Sequence, residues 1–119
     1  MSWDGPVDMV NQFRFHPTAR YAAGSSEPNR SGREAFAIYA GLLAPVVKAC
    51  GGSIRVWHGQ VHIEITGHDE PQWDEILVVR YPSRKQLIKL LSSPEFAHIH
   101  HHRAAAIADS RTFICTAAQ

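Results

Sequence analysis

The run "WDEILVVRY", residues 73–81, constrains the fold more than any other stretch, because its centre "EILVV" is apolar on both sides of an extended chain. Side chains alternate across a strand, so a strand apolar on both sides needs cover on both faces and belongs inside a sheet. Two other stretches carry strand periodicity. In "VDMVNQFRF", 7–15, Met9, Asn11, Phe13 and Phe15 alternate with Val10, Gln12 and Arg14. In "SIRVWHGQVHIEIT", 53–66, Ile54 and Val56 and then Val61, Ile63 and Ile65 alternate, with Gly59 expected as the bend between two short strand pieces. "GHDEPQ", 67–72, reads as a turn, and "RTFICTA", 111–117, as a short closing strand.

Helical spacing is equally clear. Ser31 with Glu34 three residues later makes a capping box, and Phe36, Tyr39, Leu43, Val46, Val47 and Cys50 then recur every three or four residues until Gly51-Gly52 ends the helix. Pro45 is expected to kink it. Ser83 and Gln86 form a second box, and the pattern restarts where Ser93 caps and Pro94 takes the first helical position, giving two consecutive helical pieces. Residues 16–30, "HPTARYAAGSSEPNR", are polar and rich in turn formers, a loop longer than a connection needs and therefore either mobile or functional.

The order β-α-β-β-α-β predicts an α+β, ferredoxin-like fold: an antiparallel four-stranded sheet with its helices on one face. One such domain accounts for all 119 residues, with a core over about 8–117. Helices cover one face only, yet "EILVV" is apolar on both, so the outer sheet face is expected to pair with a second copy in a homodimer.

Composition excludes several partners. Hydrophobic residues are 45% and charged residues 19% with a net charge of +1, an ordinary globular balance with no clustered Lys and Arg to hold phosphates, so no nucleic acid is expected. No apolar run reaches the roughly 20 residues that span a bilayer. "MSWDGPVDMV" lacks the basic start and apolar core of a signal peptide, which makes the cytoplasm the expected compartment. Cys50 and Cys115 lack metal or redox spacing and read as small hydrophobes. Neither GxGxxG nor GxxxxGK[ST] occurs, so no nucleotide cofactor is expected, and the absence of GxSxG sets serine hydrolysis at Ser110 aside.

The chemistry concentrates in "PEFAHIHHHRAAAIADSR", which carries four histidines within residues 98–102. On a regular helix over 95–108, Phe96, His100, Arg103 and Ile107 fall within about 40° of one line, so His100 and Arg103 face inward. His98 and His102 share the outer side. Four apart, they have metal-binding spacing, but no Glu lies between them and no third ligand is near in sequence, so no metal site is expected. Asn11, polar within an apolar stripe, lines a cavity or satisfies buried backbone. Tyr39 and Trp57 form an aromatic pair that stacks a flat ligand or fills the core. Arg14 and His62 point to solvent or an interface.

"VNQFRF", "YAGLLAPVVKACGGSIRVWHG", "WDEILVVRYPSRKQLIKLLSSPEF" and "HHRAAAIADSR" together resemble a family of uncharacterised bacterial proteins in the dimeric α/β-barrel superfamily, over about residues 8–114. The resemblance rests mainly on Gly51-Gly52, "YPSR" at 81–84, "SPEF" at 93–96 and the His-Arg stretch after it. It implies a homodimer with a pocket between sheet and helices, and its pattern matches best at His101, His102 and Arg103. With the helical wheel this leaves His100, His101 and Arg103 as candidate catalytic residues and Asn11, Tyr39 and Trp57 as candidate substrate-binding residues. In the alternative, Arg103 simply pairs with Asp109 or Glu75. The 16–30 loop is longer than the family pattern implies.

The superfamily is similar in fold to cofactor-independent monooxygenases, muconolactone isomerase and haem-binding proteins. A cofactor-independent oxygenase or isomerase of a hydrophobic or enolic substrate is one expectation. Neutral imidazole is its base, and Arg103 and Asn11 stabilise the enolate. The alternatives are a non-catalytic binder of a hydrophobic metabolite or haem, and a structural protein with a packed core. An open cavity lined by Asn11, Tyr39 and the 100–103 segment separates the first two from the third.

Overall fold

A computed structural model describes residues 3–67 and 72–118. Strands β1 (Val7–Phe15), β2 (Ile54–Gln60), β3 (Glu75–Tyr81) and β4 (Ile107–Cys115) alternate with helices α1 (Gly32–Ala49), α2 (Arg84–Leu91) and α3 (Pro94–Ala106). The sheet order is β2-β3-β1-β4 with every pairing antiparallel, so "EILVV" is interior as its two apolar sides require. This is the ferredoxin-like arrangement, with the second helical segment split in two. Residues 68–71 of the expected turn lie outside the described residues. No described helix is long and apolar enough to cross a membrane.

The caps act where the sequence puts them. Ser31 Oγ accepts from the Glu34 amide at 3.0 Å while Glu34 Oε1 accepts from the Ser31 amide at 2.9 Å, and α1 runs unbroken through Pro45. Ser93 Oγ accepts from the Phe96 amide at 3.1 Å with Pro94 opening α3. The Ser83 box is only half made: Ser83 Oγ accepts from the Gln86 amide at 3.2 Å, but the Gln86 side chain lies against Gly51 with its buried Oε1 unpaired. Gly51 has φ +112 and no room for a Cβ beside that amide, so both backbone and space require glycine.

Two boundaries differ from the sequence expectation. The second strand piece at 61–66 does not form: β3 begins at Glu75 and offers no further partner backbone, leaving Val61 with one bond to the Asp74 carbonyl and Ile65 93% exposed. The irregularity in β2 falls between Arg55 and Trp57, not at Gly59, which stays in the ladder opposite Ile76 with the Trp57 ring across it. Strand β4 starts four residues early, directly from the end of α3, because pairing of Phe15 with Ile107 and Arg14 with Asp109 extends β1's partner into an Ala-rich stretch that would locally favour helix.

The helix-facing side of the sheet carries two buried clusters. Val7, Val47, Tyr81, Leu87 and Leu90 pack at one end, and Phe13, Phe15, Ala35 and Ala106 at the other. Full burial of a side chain such as Leu90 contributes about 2 kcal/mol. Asn11 and Tyr39, both buried, belong to neither cluster. The opposite face carries Val10, Val78 and Phe113 in one row with Trp57 beside Val78, and Ile54, Trp57 and Phe113 are exposed there.

Candidate functional site

Between the clusters, under α1 and α3, opens a cleft of about 1010 Å³. Its floor is the inward row of β1, Met9 to Phe15, with Leu77, Val79 and Tyr81 from β3; Phe36, Tyr39 and Leu43 come from α1, and Phe96, His100 and Arg103 from α3. The core is therefore not packed shut. Phe96, His100 and Arg103 share one wall of the cleft as the helical wheel groups them, but His100 is exposed and Arg103 half-buried, and the buried side of α3 is Ile99, His102, Ala105 and Ala106.

Asn11 does two things at once. Its Nδ2 donates to the Leu77 carbonyl at 3.1 Å and the Met9 carbonyl at 3.3 Å, and its Oδ1 accepts from the Thr112 hydroxyl at 3.2 Å. It ties three strands together under the cleft and keeps its amide satisfied in an apolar stripe. Tyr39 packs edge-on toward Phe96 at 6.5 Å between ring centroids. Burial pushes its hydroxyl up to about 12, against the pull of the Arg103 guanidinium, so it stays a neutral donor.

Arg103, half-buried, stacks over the Phe13 ring at 5.7 Å. Neither carboxylate offered by the sequence reaches it. Asp109 meets Arg14 at 3.9 Å, and Glu75 meets Arg33 through one oxygen and His58 Nε2 at 2.7 Å through the other. Among the described residues Arg103 has no carboxylate partner.

The Arg33–Glu75–His58 set on the cleft wall escaped sequence reading, because β2 and β3 register alone brings His58 beside Leu77 and Gln60 beside Glu75. Burial and Arg55 hold His58 below the usual histidine value, so it is neutral at pH 7 and donates its Nε2 hydrogen to Glu75. Simple alternation would put Arg55 and His58 on opposite faces; the irregularity between Arg55 and Trp57 brings both to the cleft side, so the sequence carried no signal for the set.

Three expectations are corrected, for Trp57, His102 and His101. Trp57 does not reach the cleft or pair with Tyr39: the β2 irregularity leaves it opposite Val78 on the outer face, 54% exposed. His102 does not face solvent with His98; it is 6% exposed, because the 16–30 loop folds over that side of α3. The loop is held by backbone bonds from His16 to the Ala106 carbonyl and from Arg20 to the Ala105 carbonyl, and by Ala19 to the Arg30 carbonyl across its own base. Tyr21 thereby sets its hydroxyl 2.7 Å from His102 Nδ1. Burial keeps His102 below the usual histidine value. His101 is exposed, turned away from the cleft, with Nδ1 3.2 Å from the His98 carbonyl.

The family described as a domain of unknown function, DUF1330, matches residues 26–117. The chain belongs to this family. A protein of unknown function from Rhodopseudomonas palustris is 29% identical, with 98% of this chain and 85% of that one covered and a TM-score of 0.85. More distant is SnoaB, a cofactor-independent oxygenase from Streptomyces nogalater, at 17% identity, 97% and 95% coverage and a TM-score of 0.54. A dabb family protein with a ferredoxin-like fold from Mesorhizobium loti is 8% identical, with 97% and 99% coverage and a TM-score of 0.58. These two share the fold. No curated protein sequence matches.

Proposed function

We propose that the cleft binds a flat, largely apolar small molecule bearing an enolic or otherwise anionic oxygen, and that the protein transforms it by oxygenation or isomerisation without an organic cofactor. Arg103 carries this reading. A half-buried guanidinium with no carboxylate among the described residues gains most from a ligand that supplies the missing negative charge. The surrounding Phe13, Phe36 and Phe96 suit a planar apolar body.

The chemistry both reactions share is proton abstraction. Neutral imidazole, from His100 at the cleft wall or from His58 backed by Glu75, takes an acidic proton, and the electron pair left behind delocalises onto the substrate oxygen beside Arg103 and the Tyr39 hydroxyl. An isomerase returns the proton to another carbon; an oxygenase passes the electrons to dioxygen. SnoaB supports this class of reaction by analogy of fold. His101, outside the cleft, has no part in it.

A second reading, binding without turnover, is favoured by one observation: among the described residues His100 has a ring contact with Phe96 but no hydrogen bond to orient its tautomer. Thermal-shift screening of metabolites, followed by turnover assays of the hits, separates the two. A ligand at a hundred times its dissociation constant stabilises by about 2.7 kcal/mol. Hits that are converted establish the enzyme, hits recovered unchanged establish the binder, and the absence of any hit among planar enolic and carboxylic compounds removes both.

The assembly we propose is a homodimer through the outer sheet face, where exposed Ile54, Trp57 and Phe113 flank Val10 and Val78. Sedimentation at micromolar concentration is expected to give a dimer, and a monomer there removes the proposal.

A further inference from the structure

On the side of α3 away from the cleft, Glu27 from the 16–30 loop meets His101 and His102. Glu27 Oε1 lies 3.8 Å from the Nε2 atoms of both rings, and one donor atom from each of the three side chains lies within 4.8 Å of the other two. A separation of 3.8 Å is too long for a hydrogen bond, so Nε2 of the buried His102 is not bonded to Glu27.

The remaining atoms of all three groups are already held. His101 Nδ1 lies against the His98 carbonyl, which can only accept, so that nitrogen carries the hydrogen and Nε2 keeps its lone pair. His102 Nδ1 is bonded to the Tyr21 hydroxyl at 2.7 Å; in the tautomer that donates its Nδ1 hydrogen to the phenol oxygen, Nε2 offers its lone pair, and Glu27 Oε2 accepts from Arg30 at 2.8 Å. Arg30 also donates to the Tyr21 hydroxyl at 2.9 Å, which joins Glu27, Arg30, Tyr21 and His102 in one chain of bonds. Imidazoles engaged at one nitrogen and presenting the other, beside a carboxylate with one oxygen braced, are the arrangement that metal ligands require.

We propose that Glu27, His101 and His102 bind a divalent transition-metal ion of zinc's class, which fixes the 16–30 loop to α3. Two imidazole nitrogens and a carboxylate oxygen suit zinc, with ligand distances of about 2.0–2.2 Å. Tetrahedral ligands at that radius stand about 3.3 Å apart, so the two Glu27–imidazole separations need to close by roughly half an ångström and the imidazole pair by at most about 1.5 Å. Exposed His101 can supply that by side-chain rotation, and its solvent side leaves a fourth position for water. None of the three residues lines the cleft, so this site stands apart from the small-molecule reading.

The test uses untagged chain purified without metal-affinity resin, stripped with chelator, dialysed and titrated with zinc chloride by calorimetry and equilibrium dialysis. The expected result is one zinc per chain, with affinity reduced roughly tenfold or more in Glu27→Gln and in His101→Ala. These variants change a loop residue and an exposed residue, and circular dichroism checks that they fold. His98→Ala should bind as the parent does. Hydrogen exchange across 16–30 should slow with zinc in the parent and stay unchanged in Glu27→Gln. Failure to bind stoichiometrically overturns the site, as does loss of zinc in His98→Ala with retention in Glu27→Gln, which would mark adventitious binding by the His98 and His102 pair. Binding without slower loop exchange overturns the loop-fixing role.

Discussion

The two sides of α3 use neighbouring residues to opposite ends. Toward the cleft stands Arg103, a cation with no carboxylate partner among the described residues; toward the loop stands His102, one residue earlier, buried and bonded to Tyr21 in a chain of bonds that runs on to Arg30 and Glu27. Each step along a helix turns about 100°, enough to send adjacent polar residues into different surroundings. The loop side braces its polar groups against one another. On the cleft side Arg33, Glu75 and His58 pair with one another, and the Arg103 guanidinium is left without a carboxylate among the described residues, as the proposed ligand requires.

The largest expected difference is in ligand response. For any cleft ligand that stabilises the parent by about 2.7 kcal/mol at a hundredfold excess, Arg103→Met should lose most of the shift. The same change should alter the stability of the free protein by less than about 1 kcal/mol, since no buried carboxylate is stranded. A loss of 3 to 5 kcal/mol, roughly what breaking a buried pair costs, would show that Arg103 is structural after all.

His102→Ala should behave the other way round. Removing a buried ring and one of the two bonds of the Tyr21 hydroxyl is expected to cost about 2 kcal/mol in urea unfolding, with cleft binding retained. Equal costs for this variant and Arg103→Met would erase the contrast between the two sides. A smaller effect is expected at the cleft floor. Asn11→Ala should cost about 1 kcal/mol, because its carbonyl partners sit in the sheet ladder and only the Thr112 hydroxyl loses its acceptor outright.

The smallest effect is on pH dependence. His102 is held below its ordinary value of 6.5, so the unfolded chain takes up its proton first as pH falls. Stability should therefore be level above about 6.5 and decline below it until the folded-state value is passed. His16 and His58 are lowered as well and add to the same decline. His102→Gln should flatten part of that slope in urea titrations between pH 7 and 5; an unchanged slope would mean that the loop does not bury His102 in solution.

The sequence by itself determined the order of elements, three helix starts at Ser31, Ser83 and Ser93, the glycine stop at 51–52 and the interior position of "EILVV". Periodicity and capping act within one or two turns of chain, so they can be read without knowing what lies opposite. The grouping of His100 and Arg103 on the cleft side of α3 followed from the same local geometry, although His100 stays exposed there. The tertiary structure decided what distance in sequence conceals. A register irregularity between Arg55 and Trp57 turned Trp57 outward, strand pairing with β1 cut α3 short at Ala106, and a loop anchored at Ala105 and Ala106 buried His102 and carried Glu27 to it. A helical wheel places a side chain relative to its own axis only; which side meets solvent depends on the segment that folds against it, and that is set by contacts between residues far apart in the chain.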